Sequence, residues 1–303
     1  MKPTDSKKST ILLLHGFPSH CPDWIYQIEH FSCRGYGILA PDLLGYGQSS
    51  KPADPNDYLL KTMSLDLEQL LNHIEVERVV GVGHDFGSTL LSRFAAYHPE
   101  RLVACVFLTV GPPRLGTPFN VDAINAMARE KMGSEMLGYI PFISRNRDSQ
   151  QIMEKNAASV MSLLFCANEK QDWSKHFRPA KAFETFVMGG QKVSIAPWYT
   201  LEMRKAHMDA LGKDGGYAGA KRWYVMWDQE LFAPDEVGYE DVKIEAPSLF
   251  IGPVEECEMQ AGFLKEWTED LKVHEVTAGH WVHIEQAEQV NKLIEHFLQD
   301  HGL

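Results

Sequence analysis

The sequence predicts an α/β fold, a mostly parallel central sheet flanked by helices and interrupted by an inserted helical segment. Three observations carry this expectation. Short apolar runs end in Gly, Pro or Asp. Stretches with apolar residues at helical spacing separate them, the pattern of βαβ units. The alternation stops between Arg114 and Pro234 and then resumes.

The first strand is expected at Ile11–His15, where ILLL runs into His-Gly. A continuous apolar run closed by a turn signal reads as a strand buried on both faces. Further strands are expected at Gly37–Ala40 before Pro41-Asp42, at Arg78–Gly83, and at Leu102–Val110 before Gly111-Pro112-Pro113. Leu59–Ile74 has helical spacing in Leu59, Leu60, Met63, Leu67, Leu70, Leu71 and Ile74, and Ser88–Tyr97 forms a second helix stopped by His98-Pro99. The residue before a proline resists the helical conformation. Beyond Pro113 the text is rich in Met, Phe, Tyr and Trp, with helices expected at Asp148–Phe165, Ala180–Met188 and Trp198–Leu211. Strands return at Ser248–Gly252 and Val273–Thr277, before a last helix from about Glu285 to Gln299. The expected organisation is therefore a core in two pieces, 1–113 and 235–303, with a helical cap at 114–234.

Composition narrows the function. The 303 residues carry 41 acidic against 29 basic side chains, a formal charge of −12. Nucleic acid and anionic membrane surfaces both select cationic proteins, so neither is an expected partner. No apolar run approaches the roughly 20 residues of a membrane span. The opening MKPTDSKKST-ILLLHGFP is too soon broken to read as a secretory signal. Five scattered cysteines (Cys21, Cys33, Cys105, Cys166, Cys257) form no CxxC pair and no zinc spacing. They are expected as reduced thiols in a cytoplasmic protein.

The chemistry is concentrated at strand ends. Gly83-His84-Asp85-Phe86-Gly87 lies between an expected strand and an expected helix. Glycines two positions either side of Asp85 permit a sharp turn that presents the central side chain at the carboxyl edge of the sheet. A dinucleotide-binding loop would need a third glycine where Phe86 stands, and an acid ending the strand at 102–110, so the elbow is favoured. His15-Gly16-Phe17-Pro18 follows the first strand. There the Phe17 N–H can oppose the Phe86 N–H, and two such donors make an oxyanion hole. In Pro41–Ser49, Asp42 and Ser49 read as structural. His280 lies in the loop between the last strand and the last helix, with Trp281 and His283 expected in packing and surface roles. His280 and His283 lack neighbouring ligands for a metal.

Taken together, HGFP, PDLLGYGQS, GHDFGS, GYAGAKRWY and AGHWVHIEQ resemble the α/β-hydrolase superfamily, over residues 11 to 299. The Asp at the elbow resembles its epoxide hydrolase branch, and the order of nucleophile, acid and His agrees with that fold. The resemblance implies Asp85 as nucleophile and His280 as base. It implies Glu256 as the acid that orients the base, with Glu255 as fallback where relatives usually carry Asp. It also implies Tyr224 and Tyr139 as cap-domain donors to the epoxide oxygen. Phe86 stands where relatives frequently carry Trp, and the edge hairpin that relatives carry is expected to be missing or truncated.

The activity so implied is opening of an epoxide to a vicinal diol through an ester on Asp85, without cofactor or metal. Apolar cap residues such as Phe142, Met153, Phe165 and Trp227 favour a hydrophobic epoxide if they line the pocket, although helical aromatic stripes are more often core. Three other functions remain open on the sequence alone: a hydrolytic dehalogenase with the same Asp–His chemistry, a biosynthetic epoxide-opening cyclase, and a non-catalytic receptor.

Overall fold

A computed structural model describes residues 2–303. Its chain divides into two compact units. One comprises the chain up to Leu43 together with Leu60–Thr117 and Ala233–Leu303, and the other comprises Leu44–Leu59 and Pro118–Phe232.

The first unit holds a sheet of six strands among the described residues: β1 (Thr10–Leu14), β2 (Gly37–Leu39), β3 (Val79–His84), β4 (Leu102–Leu108), β5 (Ser248–Pro253) and β6 (Leu271–Val276). The spatial order is β2-β1-β3-β4-β5-β6, and every neighbouring pair is parallel. The apolar runs behave as expected of strands covered on both sides, with β1, β3 and β5 buried throughout. On one face Ile11, Leu13, Val80, Val82, Val106 and Ile251 meet Trp24, Phe31, Ile294 and Phe297 in a single core. The last four come from a 3-10 turn at Cys21–Trp24, from α1 (Ile25–Ser32) and from the C-terminal helix.

Helices α2 (Leu60–His73) and α3 (Phe86–Tyr97) follow in chain order. Helix α3 lies close against β3: a Cβ on Gly81 would come within 2.3 Å of Leu91 Cδ1. Register places His84 of β3 beside Leu108 of β4, so Asp85 and Thr109 leave neighbouring strands at the same level. Strand β4 stops short of the expected Val110 because Thr109 takes φ 68° and turns the chain.

In the second unit the helices are α4 (Val121–Met132), α5 (Ile140–Arg145), α6 (Ser149–Lys155), α7 (Ala157–Leu164), α8 (Glu169–His176), α9 (Ala182–Met188), α10 (Leu201–Leu211) and α11 (Ala218–Asp228). The single helix expected over 148–165 is two. Asn156 breaks it at φ −115°, ψ 30°, with its side-chain amide donating to the Ile152 carbonyl at 2.9 Å. Such local bonds offer the backbone an alternative to the helix. Helix α10 begins three residues later than expected because the Thr200 hydroxyl accepts from the Met203 N–H and caps it. Phe142, Met153, Phe165, Tyr199 and Trp223 are all buried within this unit, so the apolar stripe is packed side chain, as helical Met and aromatic stripes usually are.

The chain returns to the first unit through α12 (Ala233–Glu236). Glu236 there pairs with Arg93 of α3 at 2.8 Å, both fully buried, and also accepts the Gly116 N–H at 2.7 Å. Helices α13 (Cys257–Lys265), α14 (Val282–Glu285) and α15 (Ala287–Asp300) complete the fold. No helix among the described residues is long and apolar enough to cross a membrane.

Candidate active site

Asp85 sits between the end of β3 and the start of α3 with φ 55°, ψ −123°. A non-glycine residue at positive φ is uncommon and marks a constrained turn. The flanking glycines are required by space. A Cβ on Gly83 would stand 2.4 Å from the Gly87 carbonyl oxygen, and one on Gly87 would stand 2.0 Å from that of Leu14. Ser88 adds a bond from its hydroxyl to the Gly83 carbonyl at 2.7 Å, closing the turn.

The two carboxylate oxygens of Asp85 have different neighbours. Oδ1 accepts the Phe17 N–H at 2.8 Å. Oδ2 lies 3.7 Å from Nε2 of His280. Burial pushes the Asp85 carboxyl up to about 6, and the hydrogen bonds from the Phe17 and Phe86 amides pull the other way without cancelling it. Both expected oxyanion donors are thus turned toward this one carboxylate.

Phe17 is held by its neighbours in sequence. His15 Nε2 accepts the Leu43 N–H at 3.0 Å, so the ring proton is on Nδ1, 3.1 Å from the Gly16 carbonyl. Burial drives the His15 imidazole down to about 4, and it stays neutral near pH 7. Asp42 has the structural role expected of it, accepting the Cys21 N–H at 2.9 Å.

His280 lies in the loop between β6 and α14. Its carbonyl oxygen is 2.8 Å from the Thr109 hydroxyl and 2.9 Å from His84 Nε2. A carbonyl only accepts, so His84 carries its proton on Nε2. Burial lowers the His84 imidazole to about 4, which keeps it in that neutral form. The loop is also pinned by a bond from the Gly279 N–H to the Glu285 carboxylate at 2.9 Å. His283, expected at the surface, is fully buried, its ring centroid 4.4 Å from that of His84.

Glu256 follows β5 at the N-terminus of α13 and is half-buried, while Glu255 is exposed. Tyr139 and Tyr224 belong to the second unit, at the start of α5 and within α11. Their ring centroids are 6.0 Å apart and edge to face, and Tyr139 also stacks on Phe177 at 4.0 Å. Asp85, His280, Phe17 and Phe86 therefore converge in one unit, and the two tyrosines converge in the other. Sequence reasoning passed over Thr109, His84 and His15, which hold main-chain groups.

A parallel sheet with an acidic elbow after its third strand and a histidine loop after its last defines a hydrolase scaffold. The family model described as the alpha/beta hydrolase fold matches residues 9–287, and the chain belongs to that family. The chain is 25% identical over 307 residues to epoxide hydrolase srdG of Neurospora crassa, covering 96% of this chain and 86% of that one. It is 24% identical to bifunctional epoxide hydrolase 2 of Sus scrofa over 95% of this chain and 51% of that one, so it spans about half that relative's length. Among solved structures, epoxide hydrolase A of Mycobacterium thermoresistibile shares the fold with a TM-score of 0.80 at 24% identity, covering 97% of this chain and 92% of that one.

Proposed function

We propose that the protein is an epoxide hydrolase working through an ester on Asp85. The observation that carries this reading is the unequal placement of the two Asp85 oxygens. Oδ1 is held by the Phe17 N–H, which leaves Oδ2 as the nucleophile. A carboxylate can displace at the saturated carbon of an epoxide without a base. Oδ2 forms the bond to carbon, the carbon–oxygen bond of the ring breaks, and the alkoxide takes a proton from Tyr139 or Tyr224. A phenol is a competent donor to so basic an oxygen.

The ester keeps Oδ1 as its carbonyl oxygen. His280 then takes a proton from water as the water attacks the Asp85 carboxyl carbon. Negative charge gathers on Oδ1, where the Phe17 and Phe86 amides receive it. Each such donor is worth on the order of 3 kcal/mol in the transition state. On collapse the bond from the Asp85 carboxyl carbon to Oδ2 breaks, and the departing alkoxide takes the proton held by His280. The new carboxylic acid gives its proton to the tyrosinate, so the diol leaves with Asp85 again a carboxylate. Glu256, less exposed than Glu255, is the proposed partner that orients His280. The route needs no cofactor or metal, and a neutral, apolar epoxide is its proposed substrate.

Relatives named as epoxide hydrolases support this reading. A dehalogenase would use the same Asp–His pair. It would also need an N–H donor for the departing halide, and the Phe86 side chain offers none.

The ester is tested with His280→Gln and an aryl epoxide. The variant is expected to gain the mass of one epoxide on the peptide carrying Asp85. An active wild type whose His280→Gln variant never gains that mass would remove the ester mechanism.

A further inference from the structure

Two side-chain donors converge on one main-chain atom, the carbonyl oxygen of His280: the Thr109 hydroxyl at 2.8 Å and His84 Nε2 at 2.9 Å. His280 lies in a loop, outside any helix or strand, so no regular ladder fixes its backbone. The donors come from the ends of the two strands at the centre of the site.

Thr109 is an unusual residue for its position. It has φ 68° and is buried, and the Val110 N–H bonds back to the Leu108 carbonyl at 2.7 Å. That is a γ-turn with positive φ at its centre, a rare and strained conformation. A β-branched side chain makes it costlier still. Of the five non-glycine residues with positive φ among those described, Thr109 is the one that is β-branched. The turn folds the chain tightly enough for the Thr109 N–H to bond the Ile251 carbonyl at 2.9 Å while the hydroxyl reaches His280. Glycine would relieve the strain and lose that hydroxyl.

We propose that Thr109 is a positioning residue for the hydrolytic half of the reaction, holding the His280 main chain so that its imidazole is set against the Asp85 ester. The proposal rests on the ester reading above. It makes a distinction between steps that a purely structural residue would not make. Ring opening needs Asp85 and the phenol donors and does not use the base. Ester hydrolysis needs His280. Loss of the Thr109 hydroxyl therefore slows the second step and spares the first.

The test is rapid-quench kinetics with an aryl epoxide on three variants of the full chain. Thr109→Val keeps shape and branching and removes the O–H. Thr109→Gly removes the hydroxyl and the strain together, so it reports even where the valine variant fails to fold. Thr109→Ser keeps a donor. The expected result is ester decay slowed about three- to tenfold in the Val and Gly variants, the range for losing one hydrogen bond. Ester formation stays within twofold of wild type, and Ser restores decay. Steady-state kcat and KM fall together, with kcat/KM unchanged. Wild-type decay in the Val or Gly variant would overturn the proposal, and so would equal slowing of both steps. His280→Gln is run alongside. Absence of its adduct overturns the ester reading itself, whereas its presence with normal decay in Thr109→Val overturns only the role of Thr109.

Discussion

Oδ2 of Asp85 stands 3.7 Å from Nε2 of His280, too far for a hydrogen bond, while Oδ1 of the same carboxylate is held at 2.8 Å by the Phe17 amide. The base is thus near the nucleophile without being bonded to it. A carboxylate needs no proton removed when it is already ionised, so the acid limb of the ring-opening step follows the charge state of Asp85 and not that of His280. Burial pushes that carboxyl up to about 6. The protonated acid is not a nucleophile, so kcat/KM for an epoxide is expected to fall as pH drops through about 6, approaching tenfold per pH unit below it. A kcat/KM profile measured between pH 4.5 and 8 checks this. An acid limb centred near 4, the range of an ordinary carboxylate, would show that burial does not control the nucleophile.

The same burial has a cost in stability. Asp85 titrates near 3.8 in an unfolded chain and near 6 in the fold. Below pH 3.8 both states hold the proton and nothing is lost. As pH rises toward 6 the unfolded state ionises first and is favoured. Above 6 the penalty is constant, at about 2–3 kcal/mol. Asp85→Asn removes the charge and keeps an oxygen for the Phe17 N–H. It is expected to raise Tm by several degrees at pH 7.5 and by almost nothing at pH 4. Calorimetry at the two pH values reads this directly, and a gain of equal size at both would mean that the charge is not its source.

Much of this arrangement is legible in the residues themselves. Strands covered on both faces must be apolar throughout, and Leu12, Val80 and Ile251 announce theirs. Gly83 and Gly87 announce the elbow because nothing larger fits beside it. Helix α8 is less visible: Trp173 is its one buried residue, so Glu169–His176 shows no apolar period. Thr109 was invisible for two reasons. Its bonding partner is 171 residues away, and threonine is a residue type that local rules keep out of positive φ. His84 reads as a spacer beside the nucleophile, and only the fold shows its ring against the His280 carbonyl. Functional sites are where local preference and the global fold come into conflict.

Gly16 allows the nucleophile to reach its donors. A Cβ at this position would lie 2.3 Å from Asp85 Oδ1. The Asp85 Cβ would lie only 2.5 Å away as well, and it does not move when the side chain rotates, so the Asp85 turn itself must shift away from the Phe17 amide. Gly16→Ala is therefore expected to lower Tm by several degrees and to slow decay of the Asp85 ester at least a hundredfold, about the effect of losing one oxyanion donor. Near wild-type turnover in a folded Gly16→Ala protein would show that Oδ1 does not need its present position.

The tyrosine pair can be separated from the rest of the chemistry by combining variants. Tyr139 stacks on Phe177 and Tyr224 is buried, so replacing each with Phe keeps the packing and removes only a hydroxyl. If the phenols protonate the opening oxygen, their loss blocks the first step, and no ester can form however slow the second step is made. Tyr139→Phe/Tyr224→Phe in the His280→Gln background is expected to show no mass increase over hours in which His280→Gln alone is fully labelled. Each single Tyr→Phe variant retains one donor and is expected to form the ester about ten- to a hundredfold more slowly, the span of general-acid contributions. Full labelling of the triple variant at the rate of His280→Gln would mean that the proton comes from elsewhere, and would return Tyr139 and Tyr224 to packing.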